Sequence, residues 1–269
     1  MAVPSIAQLF DLTGKGAIVT GGALGIGQGI AFRLAEAGAS VMISDIDQNA
    51  AHETVRRIEK SGGRAQSIYA DAASADDAKK VVKSAIDAFG RLDILINNAG
   101  IYPVSPLLQM SEDTWDKVLN LDLKGVFFNS QAAAQEMIKA GRGGKIVNIA
   151  STGALRPAGN TAHYNAAKGG VVMLTKALAL ELAPYKILVN ALAPAAVRTP
   201  SQLRASAAFA KAMGGLPPEE PMRRFEEQVP LKRIAEPDDI AKVALFLVSA
   251  AADYMTGTMV LVDGGIMLI

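Results

Sequence analysis

Short apolar runs rich in β-branched residues alternate along the chain with longer segments whose apolar positions recur at helical spacing. Seven runs are predicted as strands, at residues 16–20, 40–45, 65–70, 92–97, 144–150, 187–193 and 259–265. The helical segments between the early strands end at glycine, which is a common way for a helix to stop. This βαβ order predicts a parallel sheet with helices on both faces.

The predicted fold class is therefore α/β, a doubly wound, Rossmann-like sheet of seven strands in a single domain covering residues 1–269. Neither an internal repeat nor a low-complexity linker divides the chain. Residues 198–233 break the strand–helix alternation with several prolines and glycines among short helical pieces. We expect this segment to be a substrate-binding lid, and a solvated surface excursion is the alternative.

The amino-acid composition limits the kinds of core, partner and metal site that this chain can have. Half of the residues are apolar but only 5% are aromatic, so an aliphatic core is expected. The 27 basic residues nearly cancel the 26 acidic ones, which argues against nucleic acid or an anionic membrane as a partner and favours a small substrate. With no cysteine and only two histidines, we expect no metal centre. We find neither a leader nor a membrane-spanning run, and expect a cytoplasmic protein.

A glycine-rich turn, Thr20–Gly27, lies between the first predicted strand and a helical run. Such glycines let the backbone approach a pyrophosphate, whose charge then lies at the helix amino terminus. The spacing differs from the common dinucleotide fingerprint, because three residues separate the first two glycines used. A structural tight turn would look similar, but the position between strand and helix favours phosphate binding.

The expected cofactor is NAD. Asp45 ends the second predicted strand about 20 residues beyond the turn, where a carboxylate accepts hydrogen bonds from the adenosine ribose. That carboxylate would repel a 2'-phosphate. No basic residue that could pair with such a phosphate lies within the turn or at Ile46 and Asp47.

Tyr164 and Lys168 are four residues apart on one face of a predicted helix. A neighbouring ammonium favours the phenolate form of a tyrosine, so Tyr164 can serve as the general acid/base for a carbinol hydroxyl. Lys168 would also hold the nicotinamide ribose. Ser151, after the fifth strand, can donate a hydrogen bond to the substrate oxygen. Each residue alone is uninformative, and the combination carries the prediction.

Together these elements resemble the short-chain dehydrogenase/reductase family over nearly the whole chain. The family's turn matches Thr20–Gly27, its Asn-Asn-Ala-Gly element matches residues 97–100, and its Tyr-x-x-x-Lys matches Tyr164 and Lys168. The resemblance implies that Asp71 caps the adenine pocket and that Val197 and Thr199 contact the nicotinamide carboxamide. Members of the family are often tetramers, so it also implies a tetramer here. The predicted cofactor-binding residues are Gly21, Leu24, Gly25, Ile26, Asp45, Ile46, Asp71, Ala72, Asn98, Gly100, Tyr164, Lys168, Val197 and Thr199.

Two positions depart from the family pattern. Asp122 stands where the family has a catalytic asparagine, while Asn120 lies two residues out of register. The asparagine is thought to hold a water for proton relay, and an ionised carboxylate can accept hydrogen bonds for that water but cannot donate them. Asp122 is therefore kept as the fourth predicted catalytic residue. Ala195 replaces a glycine beside the nicotinamide, which would be costly only at positive φ.

The predicted function is NAD-dependent hydride transfer to or from a secondary alcohol or ketone, with a polyol, sugar or other small hydroxy compound as substrate. Reduction of a 3-oxoacyl thioester is the second hypothesis. A catalytically weak NAD(H)-binding sensor or scaffold is the third, and it is suggested by Asp122. The apolar ending Ile266–Ile269 would be exposed in a monomer, so we expect a homotetramer.

Overall fold

The computed structural model describes residues 3–212 and 214–269. Its seven strands are β1 (Gly16–Thr20), β2 (Ser40–Asp45), β3 (Arg64–Tyr69), β4 (Ile94–Asn97), β5 (Gly144–Ile149), β6 (Ile187–Pro194) and β7 (Met259–Val262). They form one parallel sheet in the order β3-β2-β1-β4-β5-β6-β7. The predicted fold class is confirmed.

The helices are α1 (Ile6–Phe10), α2 (Gly25–Glu36), α3 (Gln48–Lys60), α4 (Ala75–Phe89), α5 (Glu112–Leu119), α6 (Val126–Ala140), α7 (Ala162–Leu182), α8 (Pro200–Ala212), α9 (Glu220–Gln228) and α10 (Pro237–Val248). A π-helical segment, Asn120–Gly125, joins α5 to α6. No helix among the described residues is both long enough and apolar enough to cross a membrane.

Alternation along the strands divides the core between the two faces of the sheet. In β1, Ala17 and Val19 pack into the cluster covered by α2, α3 and α10, while Ile18 packs into the cluster covered by α4, α6 and α7. Val41 and Met42 of β2 point to opposite faces in the same way. Since both faces are covered, the strands are nearly continuous apolar runs, which is why the sequence pattern located them.

The last strand is shorter than its predicted range. It ends at Val262, because Gly264 and Gly265 adopt positive φ and the Asp263 carboxylate accepts hydrogen bonds from the backbone N–H groups of Gly265 and Met267. These contacts turn the chain out of the sheet and into a short 3-10 turn, Ile266–Leu268. The turn places Ile266 in the wall of a cavity beneath α8 and α9.

Candidate active site

A cleft of about 430 Å³ lies along the carboxyl edge of the sheet, where the strands of the two halves diverge. Its lining contains every residue to which a catalytic or cofactor-binding role is assigned above: Gly21, Leu24, Gly25, Ile26, Asp45, Ile46, Asp71, Ala72, Asn98, Gly100, Asp122, Ser151, Tyr164, Lys168, Val197 and Thr199. Folding thus gathers residues from across the sequence into one cavity, and their individual roles stay predictions.

The glycine-rich turn passes very close to the chain after β4. A Cβ on Gly27 would lie 2.2 Å from the Gly21 carbonyl oxygen and 2.5 Å from Asn98 Nδ2. Asn98 Nδ2 itself donates to the carbonyl oxygens of Thr20 (3.0 Å) and Gly21 (2.9 Å). Asn98 therefore holds the turn in shape through its side chain, a structural function that the sequence pattern did not reveal.

Two carboxylates mark the end of the cleft near β2 and β3. Asp45 accepts backbone hydrogen bonds on both oxygens, from Ala23 N (3.0 Å) and Asp47 N (3.0 Å). Asp71 accepts a hydrogen bond from Ala73 N at 2.9 Å. These contacts hold both side chains in place while each oxygen keeps a second lone pair for a ligand hydroxyl or amine.

Ser151 and Tyr164 meet at the other end of the cleft. Ser151 follows β5 and its Oγ accepts a hydrogen bond from Gly153 N at 3.0 Å, which orients the hydroxyl. Tyr164 lies in the first turn of α7, and its ring packs against Tyr102 with 5.2 Å between the centroids. The Tyr102 hydroxyl donates to Gln202 of α8, so this hydrogen bond connects segment 198–233 to the site.

Lys168 and Asp122 form an ion pair behind Tyr164. Lys168 Nζ lies 3.2 Å from Asp122 Oδ2, donates to the Ile149 carbonyl oxygen at 3.0 Å, and lies 5.6 Å from the centroid of the Tyr164 ring. The other Asp122 oxygen accepts a hydrogen bond from Ile101 N at 2.9 Å. Both charged side chains are almost fully buried, at 5% and 1% exposure. The carboxylate thus contacts the lysine directly.

Electrostatics around this pair favour a protonated Tyr164. Burial raises the pKa of the Tyr164 phenol above its ordinary value, and the Asp122 carboxylate adds to that effect, whereas Lys168 and a hydrogen bond with Ser151 oppose it. Burial tends to lower the pKa of Lys168, but the Asp122 carboxylate and the Tyr164 phenol together outweigh it and the pKa is raised. Lys168 therefore stays charged while its field at the phenol is partly cancelled.

The π-helical segment explains how Asp122 reaches Lys168. A π turn inserts extra backbone into a helix and redirects its side chains. Asn129 of α6 supports the distortion, since its Nδ2 donates to the carbonyl oxygens of Gly125 (2.8 Å) and Ala72 (3.0 Å). Helical spacing alone did not predict the segment.

Ala195 is accommodated without strain. Among the described non-glycine residues, positive φ occurs only at Asn160, Lys186 and Lys232, so the alanine methyl meets no conformational penalty. The alanine N–H donates to the Val262 carbonyl oxygen at 3.3 Å. This departure from the family pattern leaves the site intact.

A second cavity, of about 380 Å³, adjoins the cleft beneath α8 and α9. Both helices lie within the segment 198–233 that the sequence analysis assigned to a lid. The two cavities share Tyr102, Ser151, Tyr164, Ala195 and Gln202 in their walls. Sequence reasoning missed Tyr102 and Gln202, because neither belongs to a motif and only the fold brings them to the junction.

Comparison with known proteins identifies related chains along nearly the full length. A family profile described as enoyl-(acyl carrier protein) reductase matches residues 21–267. The 2-dehydro-3-deoxy-D-gluconate 5-dehydrogenase of Dickeya dadantii is 38% identical over 97% of this chain and 98% of its own length. The short chain dehydrogenase/reductase astE of Aspergillus oryzae is 39% identical, with coverage of 97% and 98%.

The structural comparison agrees with the sequence comparison. The crystal structure of a short-chain type dehydrogenase/reductase from Mycobacterium marinum superposes with a TM-score of 0.89 at 34% identity. The match covers 98% of this chain and 100% of that chain. Fold and sequence therefore point to the same family.

Proposed function

Because the chain belongs to the short-chain dehydrogenase/reductase family, we propose that it is an NAD-dependent oxidoreductase that interconverts a secondary alcohol and the corresponding ketone. The observation that carries this proposal is the position of Ser151 and Tyr164, which lie in the shared wall of the two cavities. A substrate beneath the lid and a nicotinamide in the cleft would meet at these two hydroxyl groups.

The cleft suits a dinucleotide. Helices α3, α4 and α5 have side-chain caps at their amino termini, from Asp47, Ser74 and Ser111, but α2 follows Leu24 and has none. The first peptide N–H groups of α2 are therefore available to a pyrophosphate. NAD, when bound, would accept or supply the hydride. Gly21, Leu24, Gly25 and Ile26 would hold its phosphates.

Side chains of the protein would transfer the hydroxyl proton. In alcohol oxidation, the Tyr164 phenolate takes the hydroxyl proton as the carbinol carbon loses hydride; in reduction, the phenol returns it. Ser151 Oγ donates to the substrate oxygen and steadies its developing charge. Lys168 stabilises the phenolate and is placed to hold the nicotinamide ribose, and Asp122 fixes the ammonium. Val197 and Thr199 would contact the carboxamide, while Asn98 and Gly100 shape the floor of the cleft.

The preference for NAD over NADP is proposed from the residues at the end of the cleft near β2 and β3. Asp45, Ile46 and Asp47 line the cavity near β2, with Asp71 and Ala72 beyond them, so negative charge collects where a 2'-phosphate would lie. Asp45 would accept the ribose hydroxyl hydrogen bonds, and Asp71 would face the adenine.

Asp45→Asn should narrow the preference for NAD over NADP, measured as the ratio of kcat/KM values, by about tenfold to a hundredfold, since it removes like-charge repulsion at one site. Asp113→Asn is the matched control, because Asp113 is an exposed carboxylate in the first turn of α5 and lines neither cavity. An unchanged ratio in Asp45→Asn would refute the assignment of NAD to this carboxylate.

Two alternatives have weaker support. The family description names an acyl carrier protein, which keeps 3-oxoacyl thioester reduction as the second candidate. A basic docking surface for an acidic carrier would be expected near the lid. Arg223, Arg224 and Arg233 are each paired with a neighbouring carboxylate, while among the described residues Arg204, Lys211 and Lys232 form no ion pair. A catalytically weak NAD(H)-binding sensor or scaffold is the third candidate, and the complete Ser151, Tyr164 and Lys168 set argues against it.

We propose further that the enzyme works as a cytoplasmic homotetramer, close to the intracellular nicotinamide pool. Exposed apolar side chains recur at helical spacing on α6, with Phe127 and Ile138, and on α7, with Met173 and Leu180. Leu268 and Ile269, near the final turn, are exposed as well. Such stripes are typical of surfaces buried between subunits.

The experiment that tests the function is NADH formation by the purified protein across secondary alcohols, polyols, sugars and hydroxyacyl thioesters, with NADP in parallel. Turnover of free alcohols with NAD is the expected result. Turnover confined to thioesters would favour the second candidate, and NAD binding without turnover of any compound would favour the third.

A further inference from the structure

The second cavity, beneath α8 and α9, differs in chemical character from the cofactor cleft. Six apolar side chains contribute to its lining: Pro157, Phe209, Met222, Phe225, Ile266 and Met267. No acidic side chain in the described part of the chain lines it, and its one basic side chain is Arg156.

The lid helix α9 shows that these apolar side chains face the cavity for a reason other than core packing. Met222 and Phe225 lie on one face of the helix and line the cavity, while Arg223 and Arg224 on the opposite face pair with Glu220. Within the described residues, neither Met222 nor Phe225 belongs to a core cluster of the sheet. Their side chains therefore form part of the cavity wall and lie outside the clusters that cover the sheet, although Met222 is itself nearly buried.

Most polar side chains around this cavity already have partners in the protein. Ser206 Oγ donates to the Pro218 carbonyl oxygen at 2.8 Å, and Asn165 Nδ2 donates to the Ala158 carbonyl oxygen at 3.0 Å. Arg156 Nη1 donates to the carbonyl oxygens of Ile266 (3.0 Å) and Ile269 (2.6 Å).

The remaining polar groups are few. Thr161 donates to Ala158, and Gln202 accepts from Tyr102. In the described structure, the side chains of Thr152 and Gln228 lack a hydrogen-bond partner, as do the Gln202 amide nitrogen and the Nε and Nη2 groups of Arg156. The hydroxyl groups of a polyhydroxylated substrate that lie against Met222, Phe225 and Ile266 would have no hydrogen-bond partner when their water is removed.

We infer that the substrate is a free secondary alcohol, or its ketone, in which the carbinol carbon is attached to an apolar body such as a hydrocarbon ring. The carbinol lies at Ser151 and Tyr164, and the apolar body lies against Met222, Phe225 and Ile266. This inference rests on the proposed function and narrows its substrate class, since it disfavours the polyols and sugars that the relatives' names suggest.

A graded series on one ring size tests the inference: cyclohexanol, trans-1,2-cyclohexanediol and myo-inositol, each assayed for NADH formation. We expect kcat/KM to fall by about tenfold or more from cyclohexanol to the diol, because a buried hydroxyl without a partner weakens binding. It should fall further with inositol. Equal or faster turnover of inositol overturns the inference and leaves the proposed function standing.

A pair of lid variants links the effect to the cavity wall. Phe225→Gln should raise KM for cyclohexanol about tenfold, with kcat and the affinity for NAD little changed, since it places an amide against the apolar body. Leu203→Gln is the matched control, because Leu203 lies on α8 and is exposed to solvent outside both cavities. Equal KM values in the two variants contradict the proposed placement.

A binding measurement separates failure of the inference from failure of the proposed function. The thermal midpoint Tm of the protein with saturating NAD is compared in the presence of cyclohexanol and of inositol at equal concentration. A larger rise in Tm with cyclohexanol, without turnover of any alcohol, refutes the function but supports the apolar pocket. A larger rise with inositol, or no rise with either, overturns the inference.

Discussion

Tyr164→Phe should lower kcat for both oxidation and reduction by roughly 10²- to 10⁴-fold, the usual contribution of a positioned general acid/base. The ring stays against Tyr102, so NADH affinity should fall far less than kcat, although Tyr164 is also a predicted cofactor-binding residue. Steady-state rates and NADH fluorescence titration measure the two quantities. A rate within tenfold of the wild type would exclude Tyr164 as the acid/base.

Tyr102→Phe is the matched control for that variant. Its hydroxyl is also shielded from solvent, a position that raises the pKa of Tyr102, and it donates to Gln202 of α8. Because this hydroxyl is not proposed to exchange protons with substrate, the expected loss in kcat is less than about tenfold. Equal losses in both variants would indicate general damage to the pocket.

The raised pKa of Tyr164 also sets the direction of the pH dependence. Oxidation needs the phenolate, so its kcat/KM should rise with pH into the alkaline range, whereas reduction needs the phenol and should fall there. Asp122 contributes to this shift through its charge. Asp122→Asn should therefore move the oxidation profile toward lower pH, and a shift in the opposite direction would contradict the electrostatic argument.

Lys168→Met should lower the free energy of unfolding by about 3–5 kcal/mol at neutral pH, because it leaves the buried Asp122 carboxylate without its counter-charge. The double variant Asp122→Asn with Lys168→Met should be more stable than Lys168→Met alone. Its neutral amide can still accept the hydrogen bond from Ile101 N. Urea unfolding of the wild type, both single variants and the double variant measures the coupling.

The loss of folding stability in Lys168→Met should depend on pH, and the direction of this dependence is set by the Asp122 carboxyl. Burial already raises the pKa of this carboxyl, and removing Lys168 takes away the main opposing influence. The folded state then binds the proton more tightly than the unfolded state, whose pKa is about 3.9. The loss of stability should be small below that pH and grow as the pH rises toward the folded-state pKa. A loss independent of pH would mean that the methionine acts through packing.

Much of the fold and of the site could be predicted from local sequence features. The strands of a doubly covered parallel sheet are continuous apolar runs, so their number and approximate bounds follow from the pattern. The glycine turn, Asp45, Ser151, Tyr164 and Lys168 belong to motifs with regular spacing, and the βαβ rule places them at one edge of the sheet.

Other features depend on contacts between distant segments, and only the tertiary structure decided them. The ion pair of Asp122 with Lys168 involves a π-helical segment that no local sequence pattern predicted. The apolar wall beneath the lid joins Met222 and Phe225 of α9 to Ile266 near the last strand, about 40 residues apart. The sequence by itself determined the family and the candidate catalytic residues, since the residues within each motif are close along the chain, whereas packing between remote helices decided the shape and lining of the second cavity.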